Sequence, residues 1–125
     1  MRALIPLALA SLLTGAAPAP GDLARSVFAR FGLEPAPQIV SARDFSGGLT
    51  RHEWARSVVY DSGREVIVLS EGIDPDQIEQ MLEHEAAHLR AWRDLGHGIE
   101  MHGREWKRTC RKYARVKSKA CTADH

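Results

Sequence analysis

Apolar residues recur at helical spacing in three stretches of the chain and cluster in strand-like runs in the middle. Leu23, Val27, Phe28 and Phe31 fall on one side of a helix over residues 22–31, with Asp22 as N-cap and Gly32 as terminator. Glu34-Pro35-Ala36-Pro37 cannot continue that helix and reads as a connector. Residues 38–41 suit a short strand, and Ser46-Gly47-Gly48 a turn. Residues 49–60 become strand-like at Ser57-Val58-Val59-Tyr60. Asp61-Ser62-Gly63 then turns the chain into residues 64–69, whose Val66-Ile67-Val68-Leu69 run is apolar on both faces. A second helix carries Ile78, Met81, Leu82, Leu89 and Trp92. Asp74 is its expected N-cap, Pro75 its first position, and Gln77 is placed to reach back as in a capping box. Gly96 and Gly98 end it, and a last helix from about Gly103 has Trp106, Cys110 and Tyr113 as its apolar positions. The pattern predicts an α+β domain: an N-terminal helix, a short antiparallel sheet, a central helix, and a C-terminal helix packed on it.

The central helix holds the chemistry, in His84-Glu85-Ala86-Ala87-His88. Residues four apart lie about 40° apart around a helix axis, so His84 and His88 share a face and can meet one ion. Glu85 points to another part of the rim, where a carboxylate can reach a water at the metal without ligating the metal. Met81, Ala91 and Leu95 fall on the histidine side, so the imidazoles share a stripe with apolar residues. Two buried neutral imidazoles need partners, and one ion satisfies both.

A catalytic zinc takes three protein ligands and keeps one position open. The metzincin spacing puts the third six residues after the second histidine, with a glycine between; those positions are Asp94 and Ala91. A deformylase-type upstream cysteine is also missing, since Cys110 and Cys121 both lie downstream. His97, Glu100, His102 and Glu105 remain. His102 is the best placed, four residues before Trp106 at the entrance of the helix that packs back on the first.

His84 to His88, then Ala91-Trp92, then His102-Gly103-Arg104-Glu105-Trp106-Lys107 resembles the SprT-like metalloproteases, whose pattern is HExxH, a short loop, and HGxxW before a basic residue. The similarity runs more loosely over residues 22–117. It implies a small zincin-like domain (taken as residues 22–118, with 119–125 a tail) in which His84, His88 and His102 bind zinc. Glu85 would be the catalytic base and a protein or peptide the substrate. Many members of that family continue into a cysteine-rich, DNA-binding tail that this sequence does not contain.

Composition is that of an ordinary globular domain: 125 residues, 44% hydrophobic and 26% charged, with a formal net charge of +1. That charge hides an asymmetry. Residues 22–100 carry eight Lys/Arg against fourteen Asp/Glu, a balance of −6, and residues 101–125 carry eight against two, or +6. The basic residues concentrate on the last helix, which reads first as a solvated face and second as a surface for nucleic acid, anionic lipid or an acidic substrate. Residues 1–17 read as a signal peptide, with Arg2, an apolar run and small residues at Thr14-Gly15-Ala16-Ala17. The run is too short for a transmembrane anchor. Export to the periplasm or medium is expected, with a cytoplasmic location if the segment is retained. Cys110 and Cys121 form either a disulfide pinning the C-terminus or two free thiols.

Three functions compete. One is a zinc endopeptidase, with Tyr113, Tyr60 or Arg104 as a second electrophile. Another is an intracellular DNA-associated protease or nucleic-acid binder. The last is a non-catalytic structural zinc domain with a closed coordination sphere, for instance with Cys110 as fourth ligand.

Overall fold

Helix α1 spans Pro20–Arg30 and buries Ala24, Val27 and Phe28. It starts two residues before the expected cap. Asp22 lies in its first turn, beside the N-terminal dipole and paired to Arg25. The helix ends as foreseen: Gly32 sits at φ 62°, its N–H bonds Ala29 O at 3.1 Å, and Leu33 N–H bonds Phe28 O at 2.9 Å. Those two bonds make a Schellman motif. Glycine is required here twice over, because a Cβ would also meet Arg90 Nη1 at 2.6 Å. That guanidinium donates to Phe31 O at 2.9 Å and ties α1 to the central helix. The computed structural model describes residues 20–122; the expected signal peptide and residues 123–125 lie outside them.

Three strands follow, β1 Gln38–Ser41, β2 Ala55–Val59 and β3 Glu65–Leu69. The sheet order is β1-β3-β2. The turn behaves as its sequence predicts: Gly63 adopts φ 89°, Tyr60 N–H bonds Arg64 O at 2.9 Å, and β2 pairs antiparallel with β3. The expected all-antiparallel sheet is corrected at the other pair. β1 lies parallel to β3, with Gln38 opposite Val66 and Ser41 opposite Leu69, so the sheet is mixed. The hairpin turn fixes only β2 against β3; β1 reaches its neighbour across more than twenty intervening residues, and no local signal sets that direction. As the central strand, β3 buries Val66, Ile67 and Val68, which accounts for its apolar run.

Helix α2 spans Ile78–Leu95. It begins after a 3₁₀ turn, Pro75–Gln77, and neither Asp74 nor Gln77 caps it with a side chain. The turn's backbone supplies the bonds instead, Gln77 N–H to Asp74 O at 2.9 Å and Ile78 N–H to Pro75 O. Residues 81–89 are buried all round, because α2 packs on α1, β2, β3 and the two C-terminal helices. Leu95, expected on the buried stripe, is 53% exposed where the helix runs past the core. Gly96, at φ 82°, ends it. Helix α3, Arg104–Tyr113, buries Trp106 and Cys110 against α2. A short helix α4, Lys117–Ala120, follows, and a disulfide joins Cys110 to Cys121 with their Cα atoms 5.6 Å apart. The boundary expected at residue 118 therefore falls inside α4. No helix among the described residues is long and apolar enough to cross a membrane.

Candidate metal centre

Two of the three imidazoles come from adjacent turns of α2, with His84 1% and His88 5% exposed. The third comes from the turn that leads into α3. His102 holds φ 61°, rare outside glycine, and Gly103 follows in a turn closed by Gly103 N–H to Glu100 O at 3.0 Å. A Cβ at Gly103 would meet Glu100 Cβ at 2.9 Å, so this tight reversal dictates the glycine, while His102 is held at a φ that the backbone alone would give to glycine. Trp106, in the first turn of α3, forms the floor: its ring lies 4.7 Å from His84, 5.1 Å from His88 and 4.8 Å from His102, centroid to centroid. Trp92 stacks on the far side of His88 at 5.4 Å.

The result is a convergence of three like atoms. His102 Nε2 lies 3.0 Å from His84 Nε2 and 3.1 Å from His88 Nε2. Tetrahedral coordination at Zn–N of about 2.05 Å sets ligand nitrogens about 3.3 Å apart, so these two separations fit a shared zinc-sized ion within a few tenths of an ångström, and all three ligand atoms lie within 4.8 Å of one another. His84 Nδ1 lies 2.9 Å from Ala120 O, a carbonyl that can only accept. The proton therefore sits on Nδ1, and Nε2 keeps its lone pair for an ion. Burial, with His84 and His102 beside it, lowers the His88 pKa to about 3. Burial also lowers that of His102, with Lys107 adding to the effect. Both shifts favour the neutral form that ligates. The three histidines lie close enough to bind a metal ion.

Glu85, 5% exposed, borders the same cleft, a space of about 110 Å³ that is also lined by Glu53, Ala55, Arg56, Ser57, Trp92 and Met101. Burial raises its pKa from 4.5 to about 7, against the opposing pull of a hydrogen bond from Ser57. Ser57 Oγ is 2.7 Å from Glu85 Oε1 and 3.0 Å from its backbone O, so the strand holds the carboxyl in place. Arg56 binds Glu53 through Nε at 2.9 Å and through Nη2, which lowers the Glu53 pKa to about 2.

The other residues singled out in the sequence lie elsewhere. His97 stacks on Trp92 at 4.9 Å, and neither it, Glu100 nor Glu105 joins the histidine cluster. Cys110 is in the disulfide, so its sulfur is no thiolate ligand and the closed Cys110 site is overturned. None of the three expected electrophiles lines the cleft: Tyr113 packs on Phe31 at 5.5 Å, Tyr60 is exposed at the hairpin with Arg64 over its ring, and Arg104 borders a neighbouring groove. Arg56 and Ser57 were missed. Their only signal is the interruption of an apolar strand by Arg and Ser just before Val58. No protein-family model, curated protein or solved structure matches the chain.

Proposed function

We propose that the protein is a zinc-dependent endopeptidase with a zincin-like, SprT-like active site. The carrying observation is the convergence of three Nε2 atoms beside a buried carboxyl in one cleft. His84, His88 and His102 would hold the ion, which supplies Lewis acidity toward the scissile carbonyl and makes water acidic enough to deprotonate near neutral pH. Glu85, steadied by Ser57, accepts the proton of the attacking water and delivers it to the leaving amine. A pKa of about 7 suits both halves of that transfer. Arg56, in the cleft wall, replaces the tyrosines as the group that meets developing negative charge. β2 is an edge strand whose residues 55–57 line the cleft, so an extended peptide can join it by main-chain hydrogen bonds. An oxidised Cys110–Cys121 pair agrees with export by the N-terminal signal sequence.

The test is metal analysis of the purified protein with hydrolysis of an unfolded protein substrate. One zinc per chain is expected, and Glu85→Gln should keep it while losing roughly 10²–10⁴-fold in rate. Wild-type rates in that variant would remove Glu85 from the mechanism.

One observation favours a polyanion-binding role beside this one. Arg104, Lys107, Arg108 and Arg111 line an open groove that meets the cleft at His102 and also contains Glu100. None of those four cations has an ion-pair partner among the described residues, whereas Arg30, Arg90, Arg93 and Arg115 do. Duplex DNA affinity that falls steeply with salt would support a nucleic-acid partner, and a flat salt dependence would reject it.

A further inference from the structure

We propose that the C-terminal segment from Arg115 to Cys121 is a positioning device for His84, and that the Cys110–Cys121 disulfide sets the metal affinity of the site through the Ala120 carbonyl. This inference rests on the metal site proposed above.

The contact itself is the 2.9 Å bond from His84 Nδ1–H to Ala120 O. Ala120 closes α4, and the last carbonyls of a helix have no intrahelical partner, so this one is available to an outside donor. A ligating imidazole needs such an acceptor to fix its tautomer and the rotation of its ring. The carbonyl can do so only if its own position is fixed. Yet α4 has four residues, far below the roughly 12–15 that an isolated helix needs, and Lys117 and Lys119 face solvent.

Anchors at both ends of α4 hold it, and at the entrance Arg115 also pairs with Glu79 at 2.9 Å. At its entrance, the Glu83 carboxylate, 0% exposed, accepts from Arg115 N at 2.6 Å and Val116 N at 2.9 Å while paired with Arg30 at 2.6 Å. At its exit, the residue after Ala120 is Cys121, bonded to Cys110 on α3 and buried beneath it. Glu83 directly precedes His84 on α2. Cys110 lies one turn beyond Trp106, the floor of the site. Both anchors thus tie the acceptor carbonyl to the elements that carry the ligands. Opening the disulfide leaves the Glu83 grip at one end and frees the end that bears the carbonyl.

The experiment compares wild type with Cys110→Ala/Cys121→Ala, a pair that leaves no thiol to bind zinc, and with Glu83→Gln, which keeps the disulfide and weakens the other anchor. All are studied well below their melting temperatures, with circular dichroism confirming the fold. Two quantities are read: the zinc dissociation constant by competition with a chromophoric chelator, and the His84 tautomer in the zinc-free protein by ¹⁵N NMR. Zinc affinity should fall roughly 10–100-fold in the cysteine pair, and less in Glu83→Gln. The zinc-free ring should lose its fixed Nδ1–H form in parallel. Unchanged affinity and an unchanged tautomer in a folded variant would overturn the proposal, whatever the shift in melting temperature. If the cysteine pair does not fold, Glu83→Gln decides by the same two readouts. If wild type binds no zinc, the metal reading fails, and the tautomer alone decides whether the segment positions His84.

Discussion

Replacing Glu85 by Gln should strip activity and, in the zinc-free protein, raise stability at alkaline pH. Burial holds the Glu85 pKa near 7 in the folded chain, against 4.5 in the unfolded one. Between those values the folded state keeps a proton that the unfolded state has lost. Stability therefore falls as pH rises from 4.5 to 7, at about 1.4 kcal/mol per pH unit. Across the 4.5-to-7 window the loss comes to about 3 kcal/mol, and above pH 7 the protein carries it in full. Gln has the same shape, cannot ionise, and still accepts from Ser57 Oγ, so it escapes the loss without opening a cavity. Urea unfolding with chelator present should show Glu85→Gln more stable than wild type by about 2–3 kcal/mol at pH 8, and nearly equal to it at pH 4.5. In melting temperature the pH 8 difference is roughly 10 °C or more for a domain of this size. The histidines titrate in both proteins and cancel from the comparison. A difference between variants that does not change with pH would refute the reasoning, because it would mean that Glu85 carries no burial cost when charged.

Two further outcomes follow from the site's construction. His102→Gly should weaken zinc binding by more than the roughly 10–100-fold typical of outer-shell changes. It should also leave the zinc-free protein as stable as wild type or up to about 1 kcal/mol more so, since φ 61° suits glycine. Calorimetric zinc titration and chelator-treated unfolding check both, and a zinc-free loss above about 2 kcal/mol would mark His102 as a packing residue instead. Trp106→Ala removes the fully buried ring beneath all three imidazoles and should cost about 3–5 kcal/mol in denaturant unfolding, whereas a loss under about 1 kcal/mol would contradict its place in the core.

What the sequence disclosed is what local chemistry decides. The periodicity of residues 78–95 and the spacing of His84 and His88 are properties of one helix, so both could be read directly. His102 was within reach because it stands four residues before Trp106, at the entrance of a helix whose buried face could be read from its apolar spacing. The parallel β1–β3 pair was not, since its direction depends on where the chain goes between residues 41 and 65. Ser57 and Arg56 escaped for a similar reason: their roles appear only once β2 lies across α2, 28 residues distant from Ser57 in sequence. The Ala120 carbonyl left no trace at all, because a backbone acceptor has no residue type. The capping box at Asp74 failed because a 3₁₀ turn met the same hydrogen-bond demand by other means.

Two of the candidate ligands reside on the most enclosed helix of the domain and the third on a surface turn, and this division would govern how an ion held by all three comes and goes. Amides of α2 should exchange with solvent only when the whole domain opens, while the segment between Gly96 and Gly103 can breathe by itself. Capture and escape of such an ion would then proceed through one swinging arm against two fixed ones. The exchange lifetime of such an ion would be set by the opening rate of a few residues and not by the global unfolding barrier.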